Sequence, residues 1–330
     1  MKLKDKYGRT ISDLRISVTD RCNYRCVYCR TGNVGAQFPE LPIADYLRIA
    51  RVFVSLGIKK IRLTGGEPLL RRDLIDLVRE LSALRTIDGE KLDLAITTNG
   101  HLLDDMAAPL AKAGLTRATV SMDAIDPDLF ARITRVPKSH ESVLAGVRAA
   151  KAVGLVPVKI NCVLLRGFND CEIEAFAAFA REEDVAVRFI EFMPLEEDRV
   201  WTPEIVVPLK EIFERINRVY PLRETPHGES ETARRYKFAD GAPGEIGVIA
   251  PVSLPFCGAC SRIRLTSDAK IRTCLFSVRE HDLHALMRRG GSDAELAHFI
   301  ERAVEQKEPR HHIGEPGFER PSRSMVHIGG

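Results

Sequence analysis

The sequence predicts an α/β fold in which parallel strands alternate with helices. Short apolar runs rich in β-branched or aromatic residues recur through the first two-thirds of the chain, with segments of helical periodicity between them. Three of the helical segments end in a glycine followed at once by an apolar residue, at Gly57-Ile58, Gly114-Leu115 and Gly154-Leu155. Glycine tolerates the left-handed conformation that ends a helix, and the next apolar residue packs back on the last turn. Because a strand follows each time, the repeated unit predicts parallel strands joined by crossover helices.

About six such units fit before residue 194. The predicted strands are Leu14–Thr19, Lys60–Thr64, Leu92–Thr97, Arg117–Ser121, Val156–Leu164 and Val185–Phe192. A closed barrel of this kind needs eight units, so the sequence favours a partial (β/α)6 barrel of the TIM type. A doubly wound open sheet is the alternative, but its Gly-x-Gly-x-x-Gly turn after the first strand is absent.

Two of the connecting helices are predicted at Asp73–Leu84 and Ser142–Val153, each with its apolar residues on one face. The pattern changes near residue 206, and prolines and charges cluster near Pro221–Gly244. We therefore expect the barrel in residues 1–205 and a C-terminal extension in residues 206–330. The extension contains two strand-like runs, a helix and an aperiodic tail, at Gly247–Val252, Arg262–Leu265, Asp293–Glu308 and His311–Gly330.

Composition sets broad limits on function. The 330 residues are 45% apolar and 29% charged, as in an ordinary globular enzyme, and the net charge of +3 is too small to indicate nucleic acid as a partner. The segment Met1–Leu14 is charged and lacks the apolar region of a secretory signal. No stretch approaches the roughly 18 apolar residues of a membrane span. We expect a cytoplasmic protein without a membrane partner.

Eight cysteines are unusual in a cytoplasmic chain, where disulfides are rare. Cys22, Cys26 and Cys29, here called the first cysteine triplet, follow the first predicted strand with the spacing C-x3-C-x2-C. A structural zinc site wants four protein ligands, and no fourth is adjacent. A [4Fe–4S] cluster held by three thiolates leaves one iron open for another ligand. Zinc with a distant fourth ligand, or buried free thiols, is the alternative.

The second cysteine triplet consists of Cys257, Cys260 and Cys274, spaced C-x2-C-x13-C. From spacing alone, a second cluster and a zinc knuckle completed by His281 or His284 are equally favoured. The remaining two cysteines belong to neither triplet and are interpreted as ordinary thiols.

Polar residues recur where the predicted parallel strands end. The segment LTGGEPLLR ends the second strand; its paired glycines let the backbone approach a ligand, and Glu67 offers an anion to a ligand ammonium. Active sites of barrels form at this end of the strands. Further polar residues at or near strand ends are Thr97, Thr98, Asn99, Ser121, Asp123, Lys159, Asn161, Arg188, Glu191 and, beside them, Met193.

Basic residues predict an anionic ligand. Arg262 and Arg264 share one face of a strand directly after two cysteines, and together with Arg15, Arg62, Lys159 and Arg188 they would surround a polyphosphate. No Walker A sequence is present, so a nucleotide would not be held by a P-loop. Surface arginines are the alternative.

The first cysteine triplet, with Tyr28 before its last cysteine, resembles the cluster motif of the radical S-adenosylmethionine enzymes. From Gly8 to Gly330, the chain is similar to the GTP 3′,8-cyclases of molybdenum cofactor biosynthesis. The segments that carry this similarity are DLRISVTDRCNYRCVYC, IRLTGGEPLLR, TTNG, VSMDAID, VKINCVLLRGFND, RFIEFMPL, FCGACSRIRLT and SMVHIGG.

The resemblance implies two [4Fe–4S] clusters, one on each cysteine triplet, and S-adenosylmethionine on the open iron of the first. The open iron of the second would bind the guanine of GTP. Residues implied to contact S-adenosylmethionine are Tyr28, Gly66, Ser121 and Met193. Residues implied to bind GTP are Arg15, Arg62, Thr97, Lys159, Arg262, Ile263 and Arg264, with Arg188 a further candidate for the phosphates. Gly329 and Gly330 would insert into the active site, and Arg15 would help to deliver a proton.

The implied reaction is radical cyclisation of GTP to (8S)-3′,8-cyclo-7,8-dihydroguanosine 5′-triphosphate, the first step towards molybdopterin. A 5′-deoxyadenosyl radical would take the hydrogen from C3′, and the carbon radical would add to C8 of guanine. Implied partners are a reductant protein such as flavodoxin or ferredoxin and a downstream cyclic pyranopterin monophosphate synthase. The sequence leaves the oligomeric state open, and a homodimer is compatible with it.

Two other interpretations compete. The first is a radical enzyme that acts on a peptide or an RNA base and uses the second cluster for electron transfer only. The second is a zinc-binding interaction protein with a ubiquitin-like diglycine tail, which predicts zinc without sulfide.

Overall fold

The computed structural model describes residues 2–29, 35–228 and 230–329. These residues form a mixed sheet with helices packed against it. The strands are β1 Asp13–Ser17, β2 Lys60–Thr64, β3 Asp93–Thr98, β4 Arg117–Ser121, β5 Lys159–Leu164, β6 Ala186–Glu191, β7 Leu222–Glu224, β8 Ala233–Phe238, β9 Glu245–Ile249, β10 Arg262–Leu265, β11 Lys270–Arg272 and β12 His281–Asp282. The helices are α1 Ile43–Ser55, α2 Leu74–Ser82, α3 Leu103–Lys112, α4 Pro127–Thr134, α5 Ser139–Ala152, α6 Ile173–Glu183, α7 Leu209–Val219, α8 Leu283–Arg288, α9 Asp293–Glu305 and α10 Met325–Ile328.

The strand order is β12-β11-β10-β1-β2-β3-β4-β5-β6-β9-β8-β7. Strands β1 to β6 lie side by side in chain order and are all parallel, so the predicted α/β class with a mostly parallel sheet is confirmed. This sequential order is the one that a partial (β/α)6 barrel requires. The C-terminal part of the chain extends the sheet at both edges, because β10 adds parallel to β1 and β9 adds parallel to β6.

The predicted helix ends form as expected. Gly57, Gly114 and Gly154 have φ values of +101°, +102° and +80°, in the left-handed region that favours glycine. At the first of them, the backbone N–H of Ile58 donates to the carbonyl of Phe53 at 3.1 Å, five residues back. This is the bond of a Schellman motif, which ends the helix and turns the chain directly into the next strand.

The parallel strands bury apolar side chains against the helices and turn polar side chains to the inner face of the sheet. On β1, Leu14 and Ile16 are fully buried in the main core. Strand alternation places Asp13, Arg15 and Ser17 on the opposite face. The inner face is therefore where the polar residues of successive strands meet. No helix formed by the described residues is long and apolar enough to cross a bilayer.

Candidate active site

Both cysteine triplets line one cavity on the inner face of the sheet. The cavity is bordered by residues near the carboxyl ends of β3, β4, β5 and β6, represented by Thr97, Ser121, Val163 and Ile190. All eight cysteines lie in described residues, and none forms a disulfide. The structure thus brings together two groups of thiols that are more than 200 residues apart in sequence.

The loop of the first triplet is held by the Gly-Gly-Glu segment after β2. The backbone N–H of Gly66 donates to the carbonyl of Thr19 at 2.8 Å, and the N–H of Glu67 donates to the carbonyl of Arg21 at 2.7 Å. A Cβ added at Gly65 would lie 2.6 Å from the Thr19 carbonyl oxygen, and one added at Gly66 would overlap the carbonyl of Arg21. The glycines line the cavity, but their small size is needed for packing against the chain that leads to Cys22.

The Glu67 carboxylate is used inside the protein. It is 1% exposed and does not line the cavity. Its oxygens accept hydrogen bonds from the Thr98 hydroxyl at 2.7 Å and from the backbone N–H groups of Leu69 and Asn99 at 3.0 and 2.6 Å. Burial raises its pKa to about 7. The sequence suggested an anion for a ligand ammonium; in the structure, Glu67 ties its loop to the end of β3.

Tyr28 is fixed by a partner that the sequence did not identify. Its hydroxyl donates to Asp123 Oδ2 at 2.6 Å, while Asp123 Oδ1 accepts from the backbone N–H of Val163 at 2.8 Å. Burial raises the pKa of Asp123 to about 6 and that of Tyr28 well above its ordinary value. Tyr28 lines the cavity together with Gly66, Ser121 and Met193, so the residues expected to contact S-adenosylmethionine share one space.

The second triplet is assembled by a hairpin. Strands β10 and β11 are antiparallel, with Arg264 paired to Arg272. Cys260 lies two residues before β10 and Cys274 two residues after β11, so the hairpin brings both to the same end of the two strands. The buried Lys307 joins the two sides of the hairpin, because its Nζ donates to the carbonyl of Arg262 at 3.0 Å and also to the carbonyl of Thr273. Nothing in the sequence pattern marked Lys307.

Charge around Cys260 favours its thiolate. Burial by itself raises the pKa of this thiol. The nearby positive charges of Arg262 and Lys307 lower the pKa by more than burial raises it, and the resulting pKa is about 6. The Arg262 guanidinium donates to Cys260 Sγ at 3.4 Å. A thiolate is the form that binds metal, so this environment suits a metal ligand.

The donor set fits an iron–sulfur cluster. In the described part of the chain, no three His, Cys, Asp or Glu side chains converge where a single metal ion could be held. A [4Fe–4S] cluster makes a different demand, because each cysteine binds a different iron. Three thiols arranged around a cavity supply three of those bonds and leave one iron for a ligand from the cavity.

Three arginines stand side by side on neighbouring strands between the two triplets. Arg15 on β1 is paired in register with Arg264 on β10 and with Arg62 on β2. We call these residues the arginine row. Adjacent strands are about 4.7–4.9 Å apart, and like charges directly opposite one another destabilise a sheet. The first triplet follows the carboxyl end of β1, whereas the second lies at the amino end of β10, so the row lies between them.

Arg62 and Arg264 of the row are buried, whereas Arg15 is half-buried and lines the cavity. Within the described residues, Arg15 Nε is buried without a hydrogen-bond partner. Arg62 donates to the neutral hydroxyls of Thr97 and Thr119, both at 3.0 Å. Burial lowers the pKa of Arg15 and of Arg62 to about 10, with Asp13 opposing the shift and neighbouring arginines adding to it. These positive charges at the cavity are chemically suited to an anion.

Two further cations lie deeper on the same inner face. Lys159 on β5 shares its face with Asn161, which lines the cavity. Burial, reinforced by Arg188 and other nearby cations, lowers the pKa of Lys159 to about 7. Arg188 on β6 has a buried Nε without a partner among the described residues. A Cβ at Gly247 would lie 3.2 Å from Arg188 Cγ, so the glycine on β9 makes room for this side chain.

Not every residue expected at the substrate site borders the cavity. Arg62, Lys159 and Ile263 are absent from its lining, as is Gly329. Ile263 lies between two inward-facing arginines on β10 and is 1% exposed in the main core. Its side chain therefore packs on the helix side, and only its backbone is available to a ligand.

The C-terminal tail, residues 311–329 of the described chain, closes one side of the cavity. Met325 and Val326 line it. Gly329 has a φ of +81°, and a Cβ at this position would lie 2.6 Å from Thr64 Oγ1. Its carbonyl accepts a hydrogen bond from the Arg264 guanidinium. The structure thus brings Gly329 to the arginine row, while Gly330 lies outside the described residues.

Two family models match the chain. The model of the radical SAM superfamily matches residues 16–180, and the model described as Molybdenum Cofactor Synthesis C matches residues 185–313. The first contains the end of β1, the strands β2 to β5 and the first triplet, and the second contains the second triplet and Lys307.

Related proteins extend this similarity over nearly the whole chain. The GTP 3′,8-cyclase of Acidothermus cellulolyticus is 44% identical over 310 residues, which cover 92% of this chain and 84% of that protein. The GTP 3′,8-cyclase of Moorella thermoacetica is 42% identical over 332 residues, covering 99% of this chain and 100% of that protein. Among solved structures, Streptococcus suis SuiB bound to S-adenosylmethionine has the same fold, with a TM-score of 0.65 at 14% identity over 96% of this chain and 78% of that chain. The chain therefore belongs to the GTP 3′,8-cyclase family of the radical S-adenosylmethionine superfamily.

Proposed function

We propose that this protein cyclises GTP to (8S)-3′,8-cyclo-7,8-dihydroguanosine 5′-triphosphate, in agreement with its family. The observation that carries the proposal is the arginine row, of which Arg15 and Arg264 line the same cavity as the two cysteine triplets. Removing a charged group from water is costly unless it is paired. A triphosphate supplies the missing negative charge, and guanidinium groups bind phosphate oxygens in a bidentate manner.

We assign the first triplet to a [4Fe–4S] cluster and the adjoining space to S-adenosylmethionine. When bound, the reduced cluster and S-adenosylmethionine supply the one-electron chemistry that removes a hydrogen atom from the substrate. The protein positions this chemistry through the Gly-Gly-Glu segment, which fixes the cysteine loop, and through Asp123, which orients the ring of Tyr28. Ser121 and Met193 complete the walls of the space.

We assign the second triplet to a second [4Fe–4S] cluster whose open iron binds the guanine base. The position of two arginines supports this assignment, because Arg262 and Arg264 lie on β10 shortly after Cys260 and line the same cavity. A nucleotide whose phosphates bind these arginines would have its base in that cavity. Lys307 and Arg262 offset the negative charge of the thiolates.

The chain's main contribution is to bring C3′ and C8 of GTP together. Holding two reacting atoms in the right geometry converts an improbable encounter into a unimolecular step. Phosphates on the arginine row and the base at the second triplet would fix the nucleotide at both ends. Thr97 and Lys159 would add contacts to its polar groups, and Ile263 would offer only its backbone. Gly329 would cover the reacting part, and Arg15 would deliver a proton to the ring-closed product.

The reaction consumes one electron to start and one to reduce the cyclised nucleotide. We assign the supply to a low-potential donor protein such as flavodoxin or ferredoxin. A cyclic pyranopterin monophosphate synthase would take the product onward. We also propose that the protein forms a homodimer and lies in the cytoplasm. We place the boundary between the barrel and the C-terminal extension between residues 205 and 206.

Binding of GTP and guanosine to the same anaerobic protein tests the arginine row. We expect GTP to bind at least about 100-fold more tightly than guanosine, since several charge-assisted bonds are involved. The variant Arg264→Gln should bind GTP more weakly and guanosine as tightly as the wild type does, so the ratio of the two affinities should fall. Arg48→Gln, which removes a partly exposed pair with Asp293, is the control and should keep the wild-type ratio. Equal affinity of the wild type for both ligands would refute the assignment.

Iron and sulfide content tests the two triplets. The anaerobic protein should contain about eight irons, and a variant with all of Cys257, Cys260 and Cys274 changed to alanine about four, as two four-iron clusters imply. Four irons in both proteins, with zinc present, would reduce the second triplet to a structural site. GTP labelled with deuterium at C3′ should transfer that deuterium to 5′-deoxyadenosine; a product without label would exclude abstraction at C3′.

A further inference from the structure

One tail arginine joins the C-terminal tail to the hairpin that carries Cys274. The Arg323 guanidinium forms two parallel hydrogen bonds to Asp268, of 2.9 and 2.8 Å, and its Nε lies 2.8 Å from a Glu280 oxygen. Asp268 lies in the turn between β10 and β11, and Glu280 directly precedes β12. The three side chains are only 10%, 13% and 18% exposed, so solvent screens this arrangement less than an ordinary surface pair.

The same guanidinium also contacts the segment after the first cysteine loop. It lies over the ring of Phe38, 4.4 Å from the ring centroid. The backbone N–H of Phe38 donates to Asp20 Oδ2 at 3.1 Å, and Asp20 lies two residues before Cys22. Arg323 therefore touches elements that carry both cysteine triplets, although it does not line the cavity.

Apolar burial also holds the tail but does not define its position as sharply. Ile328 packs in a small cluster with Leu195 and Phe276. Hydrophobic burial is non-directional, whereas a bidentate guanidinium–carboxylate pair fixes both distance and orientation. One helical turn, α10, separates Arg323 from Gly329. Because only this short helix links the two residues, fixing Arg323 restricts where Gly329 can lie.

We propose that Arg323 is a positioning residue that sets how far Gly329 reaches over the substrate. The inference rests on the proposed GTP cyclisation and adds the group that fixes the tail. The carboxylates keep other partners without Arg323: Arg272 lies 2.7 Å from Glu280, and Lys270 lies within 3.8 Å of both. Removing Arg323 therefore leaves the hairpin with its other ion pairs and breaks the tail's link to it, while the Arg320–Glu196 pair and the Arg264–Gly329 bond remain.

The test compares the wild type with Arg323→Ala and Arg323→Lys under anaerobic single-turnover conditions. The measured quantity is cyclised product formed per 5′-deoxyadenosine released. We expect this ratio to fall about tenfold or more in Arg323→Ala, since a misplacement of about 1 Å near reacting atoms can cost on the order of 100-fold. Arg323→Lys keeps the charge but not the two-bond geometry, and should be intermediate. Iron content and GTP affinity should stay within about twofold of wild type, because Arg323 does not line the cavity that contains the thiols and the arginines.

Arg310→Ala is the matched control, because Arg310 lies just before the tail and its exposed pair is with Glu315. It should keep the wild-type ratio. A charge swap, Arg323→Asp with Asp268→Arg, should recover part of the ratio lost in Arg323→Asp alone. Unchanged product ratios in Arg323→Ala would overturn the inference while leaving the cyclase assignment standing. A wild type that forms no cyclised GTP would instead overturn the proposed function itself. Loss of iron in Arg323→Ala would show a purely structural role and also overturn the inference.

Discussion

Lys159 makes GTP affinity depend on pH in a range where Arg15 and Arg62 stay charged. Burial, together with Arg188 and other cations, lowers its pKa from 10.5 to about 7 in the free protein. A bound triphosphate brings negative charge to the same face and raises that pKa again. GTP binding therefore takes up a proton above pH 7, and affinity should fall as pH rises.

The expected decrease in GTP affinity follows from the lowered pKa of Lys159. With a pKa of about 7, roughly 24% of Lys159 is protonated at pH 7.5 and roughly 1% at pH 9. If the complex keeps the proton throughout, affinity falls about 25-fold across this interval. The pKa of Arg15 and of Arg62 is about 10, so these groups stay largely charged. The last ionisation of a phosphate, near pH 6, is complete before the interval begins.

Anaerobic equilibrium binding of GTP between pH 7.5 and pH 9 is the assay. Lys159→Arg keeps a positive charge across the interval, so its affinity should change less than about threefold. Lys159→Met should bind weakly at every pH and also give a flat profile. If the GTP affinity of Lys159→Arg falls with pH as steeply as that of the wild type, a group other than Lys159 is titrating, and the assignment of the pH dependence to Lys159 is refuted. A flat wild-type profile would refute it as well.

Two further predictions concern the loops of the cysteine triplets. Gly66→Ala should lower iron at the first triplet, measured anaerobically, because its Cβ overlaps the carbonyl of Arg21. Arg9→Ala should lower stability against denaturant by about 3–5 kcal/mol, because it leaves the buried Asp5 carboxylate without its partner at 2.5 Å. It should also lower iron at the second triplet, since Arg9 donates to the carbonyl of Cys257 at 2.9 Å.

Each of these variants has a matched control. A Cβ at Gly35 meets nothing within 4 Å, so Gly35→Ala should keep full iron content. Arg79→Ala removes an exposed pair with Asp76 and should cost less than about 1 kcal/mol. Full iron in Gly66→Ala would show that the loop adapts to the extra carbon. Equal stability losses in Arg9→Ala and Arg79→Ala would show that burial of the Arg9 pair has no special effect.

The sequence predicted those elements whose signals are local. Strand β4 begins and ends at the predicted residues, and the three glycine helix ends were anticipated because a left-handed residue is a local requirement. Strand β5 begins at Lys159 rather than Val156, since Pro157 has no N–H to give to a ladder. The segment after residue 206 contains α7 and β8, which its prolines and charges concealed.

The site residues that the sequence missed depend on contacts between distant segments. Lys307 is one charged residue among many, and only the packing of α9 beside the hairpin makes it a buried cation. Asp123 was noted as a polar strand end, but its bond to Tyr28 spans 95 residues. The sequence suggested that Glu67 faces a ligand. In the structure its carboxylate accepts from the backbone N–H of Asn99, and a residue pattern does not show which distant backbone groups need an acceptor. Spacing in sequence carries none of this information.

The addition of β10 beside β1 explains how one cavity comes to contain both triplets. If the first strand stayed at the edge of the sheet, Arg15 would have only Arg62 as a neighbour and water would screen their repulsion. Parallel pairing with β10 brings the buried Arg264 alongside the half-buried Arg15, so both guanidinium groups have less contact with water. The repulsion is thereby strengthened in the protein without ligand, and burial lowers the pKa of Arg264 well below its ordinary value. Under the proposed function, a ligand that neutralises these charges offsets this repulsion, so the pairing of β10 with β1 would favour binding of a polyanion.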